Sequence, residues 1–196
     1  MNSLFIKVNQ TFTKQSLLAS IFFFFVLSSW YVLRPVRNEM AVSNVDNLPL
    51  LLAIGAIAML LVNPIYSWAA SKTNLRKLLT YCYLFFISNL LMFLFAWRVL
   101  DLEGVVWLGR AFYIWCNIYS FFVVSIFWVV IINVFRSSKT RNFYGVIMAG
   151  GSIGAFVGSE ISKRFSTSFN DYGLEFFSIS AIILLFFGLC VRLFLI

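Results

Sequence analysis

Apolar positions in this chain run in long unbroken blocks, parted by short polar segments. The blocks predict six spans, at 17–38, 48–70, 78–98, 108–135, 143–162 and 175–196. A helix needs about 20 mostly apolar residues to cross the hydrocarbon core, and each block supplies them. Because the blocks are continuous rather than alternating, they argue against a transmembrane β-barrel. The first is no cleavable signal: its apolar core is long and rich in phenylalanine, and no small-x-small site precedes the arginines at 34 and 37. The prediction is an all-α polytopic membrane protein, one six-helix bundle over 1–196 with short connections and no soluble domain.

Composition agrees. Of 196 residues 62% are apolar and 11% charged, against nearly half and a quarter in soluble domains. Six spans alone consume about 120 residues. There is no histidine, which removes imidazole-based proton shuttles, triads and metal sites. Cys82, Cys116 and Cys190 all fall inside apolar runs, at spacings that fit no zinc or disulfide framework. None of the seven acids falls mid-span, leaving no obvious general base. An enzyme is not expected, and neither catalytic residue, metal nor cofactor is assigned. The net charge of +8 does not point to nucleic acid, because the basic residues lie in short loops between apolar runs.

Those loops set an orientation. Lys7, Lys14, Lys72, Arg76, Lys77, Arg136, Lys139 and Arg141 share one side with no acidic residue. The other side holds Glu39, Asp46, Asp101, Glu103, Glu160, Asp171 and Glu175, with Arg34, Arg37, Arg98, Arg110, Lys163 and Arg164. The positive-inside rule places the N-terminus in the cytoplasm. Six spans return the C-terminus there, where Arg192 fits.

Three features stand out. At the end of the first span, Tyr31, Arg34 and Arg37 recur at i, i+3, i+6, close to one helix face, with Asn38 beside them. An arginine at the bilayer centre costs about 2.5–3.5 kcal/mol, and an anionic ligand is one partner that offsets this. The other reading is that both arginines sit at the interface and snorkel to water. Arginine rather than lysine suits planar, bidentate contact with phosphate or carboxylate. In the fourth span Arg110, Tyr113, Asn117 and Ser120 form a polar stripe, which lines a cavity or bonds neighbouring helices. In the fifth, Gly150, Gly154 and Gly158, continued by Ser162, form a small-residue ridge that suits close helix packing. Asn63-Pro64 and Gly145 mark bends, and Trp68, Trp97, Trp107 and Tyr144 read as interfacial anchors.

Two blocks carry a family resemblance. One is Tyr31-Val32-Leu33-Arg34-Pro35-Val36-Arg37-Asn38-Glu39-Met40. The other is Phe127-Trp128, then Asn133, Lys139, Arg141-Asn142-Phe143-Tyr144-Gly145 and Gly150-Gly151-Ser152. In order and spacing they resemble the bacterial and plastid-type ATP/ADP translocases, nucleotide transporters of the major facilitator superfamily. The resemblance implies a secondary transporter working by alternating access, in the bacterial cytoplasmic (inner) membrane. It implies that Arg34 and Arg37 meet phosphate. In that family an acid usually follows the second basic position directly, whereas here Asn38 stands there and Glu39 comes one later. The superfamily signature between spans two and three keeps Lys72, Arg76 and Lys77 but lacks its glycine and aspartate. Such transporters have twelve spans in two halves, so this chain corresponds to the N-terminal half. The expected partners are the bilayer, a small anionic solute such as ATP or ADP, and a second six-helix half, from the same gene or as a homodimer. A carrier of another organic anion or drug is the alternative, and a non-transporting six-span scaffold is a further one.

Overall fold

The computed structural model describes residues 14–42, 45–100, 102–135, 143–165 and 169–195. Lys7, Asp101, Arg136, Lys139, Arg141 and Asn142 lie outside them, as do the side chains of Glu103 and Asp171. The six long helices are α1 (Lys14–Val42), α2 (Leu48–Lys72), α3 (Leu75–Val99), α4 (Leu102–Val134), α5 (Tyr144–Phe165) and α6 (Phe169–Leu195). A short 3-10 turn, Val45–Asn47, joins α1 to α2. In lipid every backbone N–H and C=O must be satisfied within the chain, so each apolar block becomes one helix. All six are long and apolar enough to cross a membrane. The chain is a multi-pass integral membrane protein.

α1 is the hub. Of its most apolar window 56% is buried, against 12% for α2, which lies at the edge. α1 packs on α4, α5 and α6; α4 packs in turn on α2 and α3; α3 packs on α6; and α2–α3 and α5–α6 touch lightly. Exchanging α1, α2 and α3 for α4, α5 and α6 maps this set of contacts onto itself. α1 and α4 are antiparallel, as the pairs Phe23–Phe127, Ser29–Tyr119 and Met40–Gly109 show. The two three-helix units therefore run in opposite senses, as alternating spans must.

The α1–α5 contact is the closest. The two helices run parallel, and a Cβ built on Gly150, Gly154 or Gly158 falls within 3 Å of backbone atoms of Ser20, Phe24 or Ser28. Side chains of both helices bond across this seam. Ser20 donates to the Val146 carbonyl and Ser28 to the Gly154 carbonyl, each at 2.9 Å. Gly150 faces Ser20 and Gly158 faces Ser28, so at these two points small residues face small residues, while Gly154 lies against the backbone of Phe24.

Rings fill the α1–α3–α4 core. Phe23 stacks on Phe127 (4.2 Å between centroids) and Trp115 on Tyr119 (5.1 Å), with Phe86 edge-on to Tyr119. Tyr83 and Tyr119 are fully buried, yet both hydroxyls find partners: the Val123 carbonyl at 3.2 Å and Ser29 at 2.7 Å. Ser29 also lies 2.7 Å from the Val26 carbonyl. Its one proton goes there, so Tyr119 is the donor to Ser29.

α3 and α6 are tied at both ends. At one, Arg98 grips Glu175 through two N–O contacts of 2.7 and 2.9 Å. At the other, the buried Arg192 donates to Thr80 Oγ1 and to the Arg76 carbonyl. Around that second end Lys14, Lys72, Arg76, Lys77 and Arg192 gather, and among the described residues no acid accompanies them.

Candidate functional site

The acid-bearing end of the bundle also carries Arg34 and Arg37. The antiparallel register of α1 and α4 puts Tyr113 level with Arg37, and Asn117 one turn closer to the middle of the bundle. Arg37 reaches for the deeper residue: its Nη1 donates to Asn117 Oδ1 at 3.1 Å. Its guanidinium lies 5.6 Å from the Trp30 ring centre, two turns back along α1, and 5.9 Å from that of Tyr113. Helical Cα–Cβ bonds tilt toward the N-terminus, which for α1 is inward at this end. Arg37 thus follows the tilt of its own Cα–Cβ bond toward Asn117.

Nη2 of Arg37 donates to Asn38 Oδ1 at 2.8 Å, while its buried Nε has no partner. Among the described residues no carboxylate comes within ion-pair distance. Both amide acceptors are neutral and the two rings offer only π faces. The positive charge is oriented, and no described carboxylate neutralises it.

Arg34 turns elsewhere. It is exposed, lies 5.5 Å from the Tyr31 ring centre, and lines a cleft of about 360 Å³ between α1 and α5. The other walls are Tyr31, Pro35, Asn38, Ser159, Ser162 and Lys163. Positions i, i+3 and i+6 fan over about 120° of a helix. With α4 on one side and α5 on the other, Tyr31 and Arg34 go to α5 while Arg37 goes to α4. Asn38 belongs to both, accepting from Arg37 and facing the cleft.

The α4 stripe divides in the same way. Tyr113 and Asn117 meet Arg37. Arg110 places its guanidinium 4.6 Å from the Trp107 ring centre on its own helix, and Ser120 donates back to the Asn117 carbonyl at 2.9 Å. Gly55 of α2 closes the junction: a Cβ there comes 3.8 Å from Asn117 Nδ2. Gly150, Gly154 and Gly158 lie away from the arginines, along the seam with α1. Sequence reasoning missed Trp30 and Lys163. Trp30 precedes Arg37 by seven residues, a spacing that puts both on one face. Lys163 was absorbed into the charge balance of its loop. In comparisons with known proteins, no protein-family model matches this chain, and neither does any curated protein or solved structure.

Proposed function

We propose that the chain is a six-helix unit of a secondary transporter that moves an anionic solute by alternating access. The observation that carries this reading is Arg37, turned into the bundle and held by neutral partners with no described carboxylate. A charge left so inside a bundle of membrane-spanning helices is costly, and such residues mark substrate pathways. Its planar fork matches phosphate or carboxylate bidentately. The list of touching helix pairs, unchanged when the two three-helix units are exchanged, supports the same reading. Nested inverted repeats characterise each half of major facilitator transporters, which hold substrate near the midplane between halves. A second six-helix half, on the same polypeptide or as another copy, then completes the site. The all-basic end faces the cytoplasm by the positive-inside rule, in a bacterial inner membrane.

Within this class the substrate we propose is a nucleotide exchanged in the manner of ATP/ADP translocases, as the block around Arg34 and Arg37 suggests. Asn38, standing where that family usually has an acid, favours the second reading, a carrier of another organic anion. Uptake of labelled ATP into cells expressing the complete gene product tests the claim. Saturable uptake, driven by internal ADP and lost in Arg37→Gln, is the expected result. Uptake of other organic anions without nucleotide transfers the reading to the alternative. No transport of any anion, together with a stable complex whose formation ignores Arg34 and Arg37, identifies a scaffold.

A further inference from the structure

Pro35 lies inside α1, four residues after Tyr31. Proline has no N–H to offer the carbonyl four positions earlier, and its ring crowds that carbonyl. The Tyr31 carbonyl therefore lacks its helical donor within a membrane span, where an unsatisfied group needs a substitute from a neighbouring helix. Ser162 of α5, 2% exposed, is in place. Its Oγ lies 3.2 Å from the Tyr31 oxygen, 3.2 Å from the Val32 oxygen and 3.1 Å from the Gly158 oxygen. A hydroxyl has one proton to give. In the regular helical pattern Val32 already accepts from the amide of residue 36, and Gly158 from the amide of Ser162 itself. Tyr31 is the acceptor left without a donor.

We infer that Ser162 supplies the hydrogen bond that Pro35 withholds, and that it is thereby a positioning residue for the arm of α1 beyond the proline, residues 36–42, which carries Arg37 and Asn38. The approach depends on Gly158, since a Cβ there meets Ser28 O at 2.6 Å and Tyr31 Cβ at 3.0 Å. Tyr31, Pro35 and Ser162 all line the cleft that holds Arg34, so the bond sits where the two arginine environments join. Pro35 opens the hydrogen-bond ladder of α1 at this point, and Ser162 closes it from α5. Remove the hydroxyl, and nothing else described holds that carbonyl.

The pairing of Pro35 with Ser162 stands apart from transport; only its consequence for anion binding rests on the proposed function. The test uses the full chain, purified, with its three cysteines replaced by alanine and spin labels on Val42→Cys and Ile153→Cys, both exposed sites. Ser162→Ala is expected to broaden the label–label distance distribution about twofold and to lower the melting temperature by about 3–6 °C. Pro35→Ala restores an amide to Tyr31, so in that background Ser162→Ala leaves both readouts unchanged. In an anion-exchange assay Ser162→Ala raises KM, and adding Pro35→Ala brings it back, a rescue that a packing role does not give. Equal losses in both backgrounds, or no loss in either, overturn the inference. Should Ser162→Ala alone fail to fold, a folded Pro35→Ala/Ser162→Ala protein upholds it and an unfolded one overturns it. If no anion is transported, the distance and melting results still decide the pairing.

Discussion

Gly154→Ala is expected to destabilise the bundle by about 3 kcal/mol or more, although it adds one methyl group to a helix that ordinarily favours alanine. The added Cβ falls 2.8 Å from Phe24 Cα and 2.9 Å from Phe24 C. These are backbone atoms, with no rotamer to turn aside. α1 and α5 must move apart, which incurs an overpacking cost of about 1–3 kcal/mol. The separation also stretches the bonds from Ser20 to Val146 and from Ser28 to Gly154, each worth about 0.6 kcal/mol in a membrane protein. Because α1 also seats α4 and α6, the disturbance does not stay local. Thermal melts of purified protein should show a drop of about 6–12 °C. Gly145→Ala on the same helix is the control, since a Cβ there meets nothing within 4 Å; its melt should not fall.

Arg37→Met should weaken anion binding by about 10- to 100-fold, the worth of a lost charge-assisted hydrogen bond, while leaving the fold at least as stable as before. The two effects oppose each other for one reason. Arg37 is a partly buried charge with amide and aromatic neighbours but no described counter-ion. Replacing buried ionic groups with apolar ones of similar volume is often neutral or stabilising. Arg37→Lys should recover little, because an ammonium lacks the planar fork that spans Asn117 and Asn38. Titration of anion binding, with melting curves on the same samples, checks both halves. A variant that binds normally removes Arg37 from the site, and one that melts much lower makes it a structural residue.

The six helices are legible because continuous apolar blocks of about 20 residues have one solution in lipid. Helix ends shift by a few residues: α1 extends past 38 to Val42 and α4 begins at Leu102, where polar residues can still continue a turn. The four-residue step of Gly150, Gly154 and Gly158 is visible in sequence. That it seats on Ser20, Phe24 and Ser28 is not, because spacing names a surface and never its neighbour. The arginines show the same divide. Their periodicity groups Tyr31, Arg34 and Arg37, but α4 and α5 lie on either side of that arc and divide it. No periodicity shows that Arg37 points inward. That follows from the register of α1 on α4, a contact between residues 80 positions apart. Ser162 reads in sequence as the tail of a small-residue ridge; its bond to the Tyr31 carbonyl emerges only once α5 lies against Pro35.

The most direct test of the anion-carrying account is the melting temperature of the purified full chain against a panel of anions: ATP, ADP, inorganic phosphate and organic mono- and dicarboxylates. Ligand at about 100 times its Kd adds about 2.7 kcal/mol, or about 5–10 °C for a chain of this size. The account predicts such a rise for at least one anion, largest for a nucleotide, and its loss in Arg37→Met. No rise with any anion, or the same rise in wild type and Arg37→Met, would contradict it.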